Sequence, residues 1–139
     1  MKMITTLIFL MLWQVLAAPP TNVLTLPLPE KLMPYEALWN ATCKVESDFN
    51  RCAIGDRHLK NKSYGIAQIR KTRLDDYYKQ TGIRYHVKDM FCPDKSKEVF
   101  MYYCNNSDLE VISRQWNGGI KGMNKRSTLK YWNKIQSEL

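Results

Sequence analysis

Apolar residues recur at the three- and four-residue spacing of an α-helix in several short stretches of this 139-residue chain. The clearest stretch is residues 35–49, where one helical face carries Leu38, Thr42, Val45 and Phe49. Such spacing is typical of a helix that buries one face, whereas the two-residue alternation of a half-buried strand is nearly absent. The sequence therefore predicts a mainly α fold, built as a single helical domain.

Residues that start and stop helices divide the rest of the chain. The expected starts are Thr72, Asp94 or Ser96, Asp108 and Ser127, and the expected stops are Gly82, Gly118 and Gly119. The last of these helices is expected to present one apolar side, made of Leu129, Trp132, Ile135 and Leu139. Residues 50–62 are expected to form a loop, and residues 63–70 a helical turn that enters the interior.

The N-terminal segment has the order of features found in a secretory leader. A positive Lys2 precedes a mostly apolar run at residues 4–16, and the small residues Ala17 and Ala18 follow. This order predicts a signal peptide over residues 1–18. A retained membrane anchor is the alternative, but the run is shorter than the roughly 20 apolar residues that a spanning helix needs.

Residues 19–34 contain five prolines, which predicts an extended tether rather than a helix. The folded domain is then expected at residues 35–139. With the leader removed, no segment is apolar enough to span a membrane, so the expected location is periplasmic or secreted.

Four cysteines can staple a domain of this size: Cys43, Cys52, Cys92 and Cys104. An even number of cysteines behind a signal peptide predicts disulfides. A helix over residues 95–104 would separate Cys92 from Cys104, which leaves two crossed pairings open. Because neither CxxC spacing nor paired histidines occur, no metal site is expected, and no cofactor is implied.

The chain is basic, with 21 Lys and Arg against 13 Asp and Glu and a net charge of +8. A basic secreted domain suits polyanions, including nucleic acids, anionic membranes and cell-wall polymers. Charge alone does not choose among them. No recognised nucleic-acid-binding module is present, so nucleic acid is not the expected partner.

Three ordered segments carry the chemical signal: 45-VESDFN-50, 63-SYGIAQI-69 and 112-ISRQWNGG-119. Together they resemble the catalytic core of the soluble lytic transglycosylases, in the lysozyme-like superfamily that includes the goose-type lysozymes. The resemblance implies cleavage of the β-1,4 bond between N-acetylmuramic acid and N-acetylglucosamine in peptidoglycan glycan strands. In that family a single glutamic acid acts first as acid and then as base, water does not attack, and the product is a 1,6-anhydro sugar.

Glu46 is the candidate catalytic residue. It lies near the end of the first predicted helix, with Trp39, Val45 and Phe49 as its expected apolar surround. An apolar surround raises the pKa of a carboxyl group because it penalises the charged form. Such a group can hold a proton near neutral pH and donate it to the leaving oxygen of a glycosidic bond.

The resemblance implies five substrate-binding residues: Ser47, Gly65, Gln68, Trp116 and Asn117. Several of these residues also have a purely structural interpretation. Ser47 could serve the local backbone, Gln68 could be a buried amide, and Trp116 could belong to the core. The sequence departs from the family pattern at Ala67, where Met is usual, and at Trp116, where Tyr is usual.

Two alternatives to transglycosylase chemistry remain open. A hydrolytic muramidase on the same scaffold would need a second carboxylate, for which Asp56 is the candidate and Asp75 and Asp76 are substitutes. From another class, the chain could be a cationic cell-wall or membrane-binding protein without catalytic activity. A small domain without wall-binding repeats would also suit a component of a secretion, conjugation or phage machine.

Overall fold

The structure, a computed structural model, describes residues 30–139. The predicted signal peptide at residues 1–18 lies outside the described residues, as does the predicted tether up to residue 29. The end of that tether belongs to the fold instead. A 3₁₀ turn covers Glu30–Leu32 and the first helix begins at Met33, with Pro34 in its first turn. Proline is accepted there because the first turn of a helix leaves its N–H groups unpaired.

The described part of the chain is mainly helical, as the spacing of apolar residues predicts. Two further 3₁₀ segments cover Val87–Phe91 and Gly122–Asn124. The five α-helices are α1 (Met33–Ser47), α2 (Lys71–Thr81), α3 (Pro93–Tyr102), α4 (Leu109–Gly118) and α5 (Arg126–Gln136).

Local capping signals explain where several helices begin and end. The Asp108 carboxylate accepts the backbone N–H groups of Glu110 and Val111 and so caps α4, as expected. Gly82 ends α2 in the left-handed conformation, with φ 76°. The start of α2 differs slightly from the expectation, because Arg70 rather than Thr72 precedes the helix.

Residues 63–64 and 69–70 form strands joined by a turn, so the helical turn expected over residues 63–70 is wrong. Three two-residue strands, β1 (Ile54–Gly55), β2 (Ser63–Tyr64) and β3 (Ile69–Arg70), make an antiparallel sheet in the order β1-β2-β3. Gly65 and Gln68 both have positive φ, which reverses the chain between β2 and β3. Strands of two residues are too short to show a periodic pattern, so the sequence does not reveal them.

The hydrophobic core is centred on aromatic rings of α1, α3 and α4. Phe100 lies 5.3 Å from Trp39 and 4.9 Å from Trp116, measured between ring centroids. Leu38 and Thr42 are buried as expected, but Phe49 is 51% exposed and does not join the core. Phe49 follows the end of α1 with φ 61°, so its side chain no longer continues the buried helical face.

The last helix buries Ile135 as expected, but the rest of its buried face differs from the one expected. Thr128, Tyr131 and Ile135 are buried, whereas Leu129 is 42% exposed. The buried residues keep helical spacing, and their face turns toward α1 and α4. The polar residues Thr128 and Tyr131 lie on this face because each finds a hydrogen-bond partner inside.

All four cysteines are free thiols, so the predicted disulfide staples are not formed. Cys43 is buried in the core and Cys104 is half-buried, whereas Cys52 and Cys92 are exposed. Burial raises the thiol pKa to about 12 for both Cys43 and Cys104. These two therefore act as small apolar side chains within the packed interior.

Within residues 30–139, no helix combines the length and the apolar character that crossing a membrane requires.

Candidate functional site

A cleft of about 790 Å³ lies between the end of α1, the small sheet, the start of α2 and the end of α4. Three carboxyl groups and two guanidinium groups face it: Glu46, Asp56, Asp76, Arg70 and Arg73. The other lining residues are mainly polar. A polar, charged cleft of this size suits a hydrophilic chain such as a polysaccharide better than an apolar ligand.

The cleft brings together most of the site residues predicted from the sequence. Those that line it are Glu46, Asp56, Gln68, Trp116 and Asn117. Ser47 and Gly65 do not line the cleft. Each contacts a backbone carbonyl beside it.

Glu46 is the penultimate residue of α1 and is partly buried. Its Oε1 accepts a hydrogen bond of 2.9 Å from the Tyr131 hydroxyl of α5. Burial raises the pKa of Glu46 to about 7, against the lowering effects of the Tyr131 hydrogen bond and the Arg73 charge. A substantial fraction of this carboxyl group therefore carries a proton at neutral pH.

Ser47 holds the end of α1 against the turn between β2 and β3. Its hydroxyl donates to the carbonyl of Ile66 at 2.8 Å and lies 3.3 Å from the carbonyl of Cys43. Asp48 and Phe49 follow with φ of 52° and 61°, so the chain turns sharply after the helix. Ser47 thus keeps Glu46 in position through backbone contacts.

Asp56 lies in the same cleft and is held by neighbours of the small sheet. Its Oδ2 forms an ion pair of 2.6 Å with Arg70 Nη2 and lies 3.2 Å from the Ser63 hydroxyl. Within residues 30–139, its other oxygen, Oδ1, accepts no hydrogen bond from the protein. The charge of Asp56 makes a minor contribution to the raised pKa of Glu46.

Gln68 and Gly65 build the turn that supports Asp56. Gln68 Nε2 donates to the carbonyl of Gly65 at 2.8 Å, and Gln68 Oε1 lies 2.8 Å from the Ser63 hydroxyl. Gly65 has φ 74°, and a Cβ atom there would collide with the carbonyl of Met90. The amide of Gln68 is therefore largely occupied within the protein, although its side chain still lines the cleft.

Trp116 is a core residue whose ring borders the cleft floor. It is 7% exposed and packs edge-on against Phe100. The Arg73 guanidinium lies 4.1 Å from the centroid of the Trp116 ring and donates to the Trp116 carbonyl at 2.6 Å. Because Arg73 covers this face of the ring, stacking of a sugar on Trp116 is blocked there. Asn117, by contrast, is exposed at the rim.

The sequence does not point to two residues that the structure places at the site. Tyr131 contacts Glu46, and its spacing with Thr128 and Ile135 would have marked it as a buried residue of α5. Arg73 stacks on both Trp116 and Tyr103, the latter at 4.6 Å. No local pattern around Arg73 distinguishes it from the many other basic residues of this chain.

Asp76, an alternative candidate for the second carboxylate, is already hydrogen-bonded within the protein. It accepts a hydrogen bond of 2.8 Å from the Tyr103 hydroxyl at the cleft wall. Asp75, the other substitute, pairs with Lys71 on the surface and does not line the cleft. Asp56 is consequently the carboxylate best placed to act with Glu46.

The fold and the cleft define a mainly helical protein with a protonatable glutamic acid and a second carboxylate facing one groove.

No protein-family model matches the chain, and no curated protein matches its sequence significantly. Among solved structures, the chain matches one in the crystal structure of Aeromonas hydrophila PliI in complex with Meretrix lusoria lysozyme. The match has 21% identity and a TM-score of 0.59, and it covers 73% of this chain and 88% of that chain.

This match overturns the expected lytic transglycosylase activity. The structural neighbour comes from a complex of lysozyme with PliI, and not from a transglycosylase. At 21% identity the match shows a shared fold. The resemblance to the soluble lytic transglycosylases remains an expectation that rests on three short sequence segments.

Proposed function

We propose that this chain is a hydrolytic muramidase with a lysozyme-like fold. It would cleave the β-1,4 bond between N-acetylmuramic acid and N-acetylglucosamine in peptidoglycan, with water as the acceptor. The observation that carries the proposal is that Glu46 and Asp56 line the same cleft in different environments. Burial favours the neutral form of Glu46, whereas Arg70 forms an ion pair with Asp56. One carboxyl group is partly protonated near neutral pH, and the other is ion-paired.

Glu46 supplies the proton in this mechanism. Cleavage of a glycosidic bond needs a carboxylic acid that donates to the leaving oxygen as the bond breaks. The raised pKa of Glu46, about 7, keeps that proton available at neutral pH, and the Tyr131 hydroxyl holds the carboxyl group in a fixed orientation.

Asp56 supplies the second carboxylate. Its Oδ2 is held by Arg70, and in this mechanism the Asp56 carboxylate acts on a water molecule or on the anomeric carbon. As the glycosidic bond breaks, the proton of Glu46 goes to the leaving sugar. Water adds to the anomeric carbon, and its proton returns to a carboxylate. A second carboxylate at the cleft is what hydrolysis requires and what a one-acid transglycosylase does without.

The leader-like segment and the basic charge support action on a polymer outside the cytoplasm. The net charge is +8 for the whole sequence and remains +7 without Lys2 of the leader, which favours contact with anionic cell-wall strands. We therefore place the protein in the periplasm or in the secreted fraction, with peptidoglycan glycan strands as its partner.

Digestion of purified peptidoglycan tests the proposal. The protein should release fragments with new reducing ends, and Glu46→Gln should reduce this release by at least about a thousandfold, since proton donation is lost. Asp56→Asn should also impair release, whereas Asp75→Asn, at a surface carboxylate outside the cleft, should not. Release of 1,6-anhydro ends in place of reducing ends would contradict the proposal.

A second candidate is a cationic binding protein without catalytic activity. Its support comes from the neighbouring structure, in which PliI is bound to lysozyme, and from the basic composition of this chain. In that case the chain would bind the cell wall or a lysozyme, and the cleft would hold a ligand without cutting it.

Two measurements separate the candidates. The binding protein would sediment with peptidoglycan or lower the rate of an added lysozyme, and it would release no reducing ends. Glu46→Gln would leave such binding largely intact, because the substitution preserves the size and polarity of the side chain. The muramidase would instead release reducing ends by itself and lose that activity in Glu46→Gln.

A further inference from the structure

Arg73 carries a positive charge that the protein itself does not neutralise by direct pairing. Within residues 30–139, its guanidinium lies within ion-pair distance of no carboxylate. It lies over the rings of Trp116 and Tyr103, 4.1 and 4.6 Å from their centroids, and it donates a hydrogen bond to the Trp116 carbonyl. These contacts fix the position of the guanidinium, and its remaining N–H donors are available to a ligand.

The start of α2 adds positive potential at the same place. Arg70, Thr72 and Arg73 all line the cleft, and they stand at the N-terminus of this 11-residue helix. No side chain caps that end, and its first turn contains no acidic residue. Uncapped N–H groups and the helix dipole favour an anion there.

The acidic groups that face Arg73 already form ion pairs or hydrogen bonds with other residues. Asp56 pairs with Arg70, and Asp76 accepts from the Tyr103 hydroxyl. Glu46 accepts from the Tyr131 hydroxyl and is partly neutral at pH 7. The cleft therefore contains the guanidinium group of Arg73 beside the proposed acid. Its remaining N–H donors can bind a planar anion.

We propose that Arg73 and the N-terminal turn of α2 form a subsite for a substrate carboxylate, so that the cleft prefers glycan whose muramyl residues are free of peptide. This inference rests on the proposed muramidase function and names its substrate class. The lactyl group of a muramyl residue is a carboxylate only where no peptide is attached, since a stem peptide converts it to a neutral amide. A guanidinium binds a carboxylate in a two-point geometry that an amide cannot reproduce.

Two matched tetrasaccharides test the subsite. One is made of alternating N-acetylglucosamine and N-acetylmuramic acid with free lactyl carboxylates, and the other carries the same groups as methylamides. Binding is measured by calorimetry in the Glu46→Gln background, where no turnover occurs. The free acid should bind about tenfold or more tightly than the amide, because charge-assisted hydrogen bonds are stronger than neutral ones.

Variants at Arg73 assign the preference to this residue. Arg73→Gln should abolish the difference between acid and amide by weakening binding of the acid alone, and Arg73→Lys should restore part of it. Lys71→Gln is the matched control, since Lys71 is exposed, pairs with Asp75 and does not line the cleft. Thermal unfolding of each variant confirms that it is folded.

The outcomes distinguish this inference from the muramidase proposal. Equal affinity of the two tetrasaccharides, or a preference for the acid that survives Arg73→Gln, would overturn the subsite even if the protein hydrolyses peptidoglycan. A preference that depends on Arg73 supports the subsite even if the wild type releases no reducing ends. Binding of neither tetrasaccharide overturns the subsite and leaves the hydrolysis assay to judge the function.

Discussion

Tyr131 donates a hydrogen bond of 2.9 Å to Glu46 Oε1, joining two helices across 85 positions of the chain. The bond favours the charged carboxylate and so lowers the pKa of Glu46, but burial raises it more strongly. The balance is a pKa of about 7. Burial, helped by the nearby Glu46 charge, also raises the pKa of Tyr131 well above its usual value, so the phenol remains a hydrogen-bond donor.

Loss of the Tyr131 hydroxyl should therefore raise the pKa of Glu46 above about 7. A hydrogen bond to a charged group contributes roughly 1.5–3 kcal/mol, so Tyr131→Phe should raise the pKa of Glu46 by about 1–2. Carbon-13 NMR of the Glu46 side-chain carboxyl measures this shift without any need for activity. Tyr85→Phe is the control, because Tyr85 donates to Glu98 and does not line the cleft. An unchanged or lowered pKa in Tyr131→Phe would show that the hydroxyl does not tune this group.

The rate of peptidoglycan hydrolysis should fall as the pH rises through about 7, because Glu46 must be protonated to act as the acid. Above that value, kcat/KM should decrease about tenfold for each pH unit. The profile is measured at constant ionic strength, so that screening of the basic protein does not change with pH. A rate that stays level to pH 9 would exclude Glu46 as the proton donor with this pKa.

Replacing Glu46 by the uncharged Gln should stabilise the protein in alkaline solution. The unfolded chain releases this proton near the ordinary value of 4.5, whereas the folded protein holds it up to about pH 7. The folded state therefore binds more protons in this window, and wild-type stability decreases as the pH rises through it. Glu46→Gln should gain up to roughly 3 kcal/mol at pH 8 and little at pH 4.

Urea unfolding at the two pH values measures this difference. Glu138→Gln, at an exposed position near the C-terminus, is the control and should change the free energy of unfolding little at either pH. A stability difference between Glu46→Gln and wild type that does not depend on pH would contradict the assigned cause.

Gly65→Ala should destabilise the fold more than Gly82→Ala, although the two glycines have nearly the same φ, 74° and 76°. At Gly65 the new Cβ would collide with the Met90 carbonyl, whereas nothing lies within 4 Å of a Cβ at Gly82. We expect a loss of about 2–4 kcal/mol at Gly65 and about 1 kcal/mol at Gly82. Chemical denaturation measures both, and similar losses would show that backbone strain alone accounts for Gly65.

The sequence by itself determined the features that depend on neighbours along the chain. The spacing of Leu38 and Thr42 located α1, Asp108 marked the start of α4, and Gly82 marked the end of α2. These signals work because a helix is built from contacts three and four residues apart and from caps at its own ends. The position of Glu46 near the end of α1 followed from the same reasoning.

Only the tertiary structure decided what surrounds Glu46. Tyr131, Arg73 and Asp56 come from separate elements, and the expected neighbour Phe49 turns away because the chain leaves the helix before it. The sheet escaped prediction because two-residue strands owe their pairing to partners elsewhere in the chain. The pKa of Glu46 was likewise beyond local reasoning, since it depends on how much water is excluded when distant segments pack together.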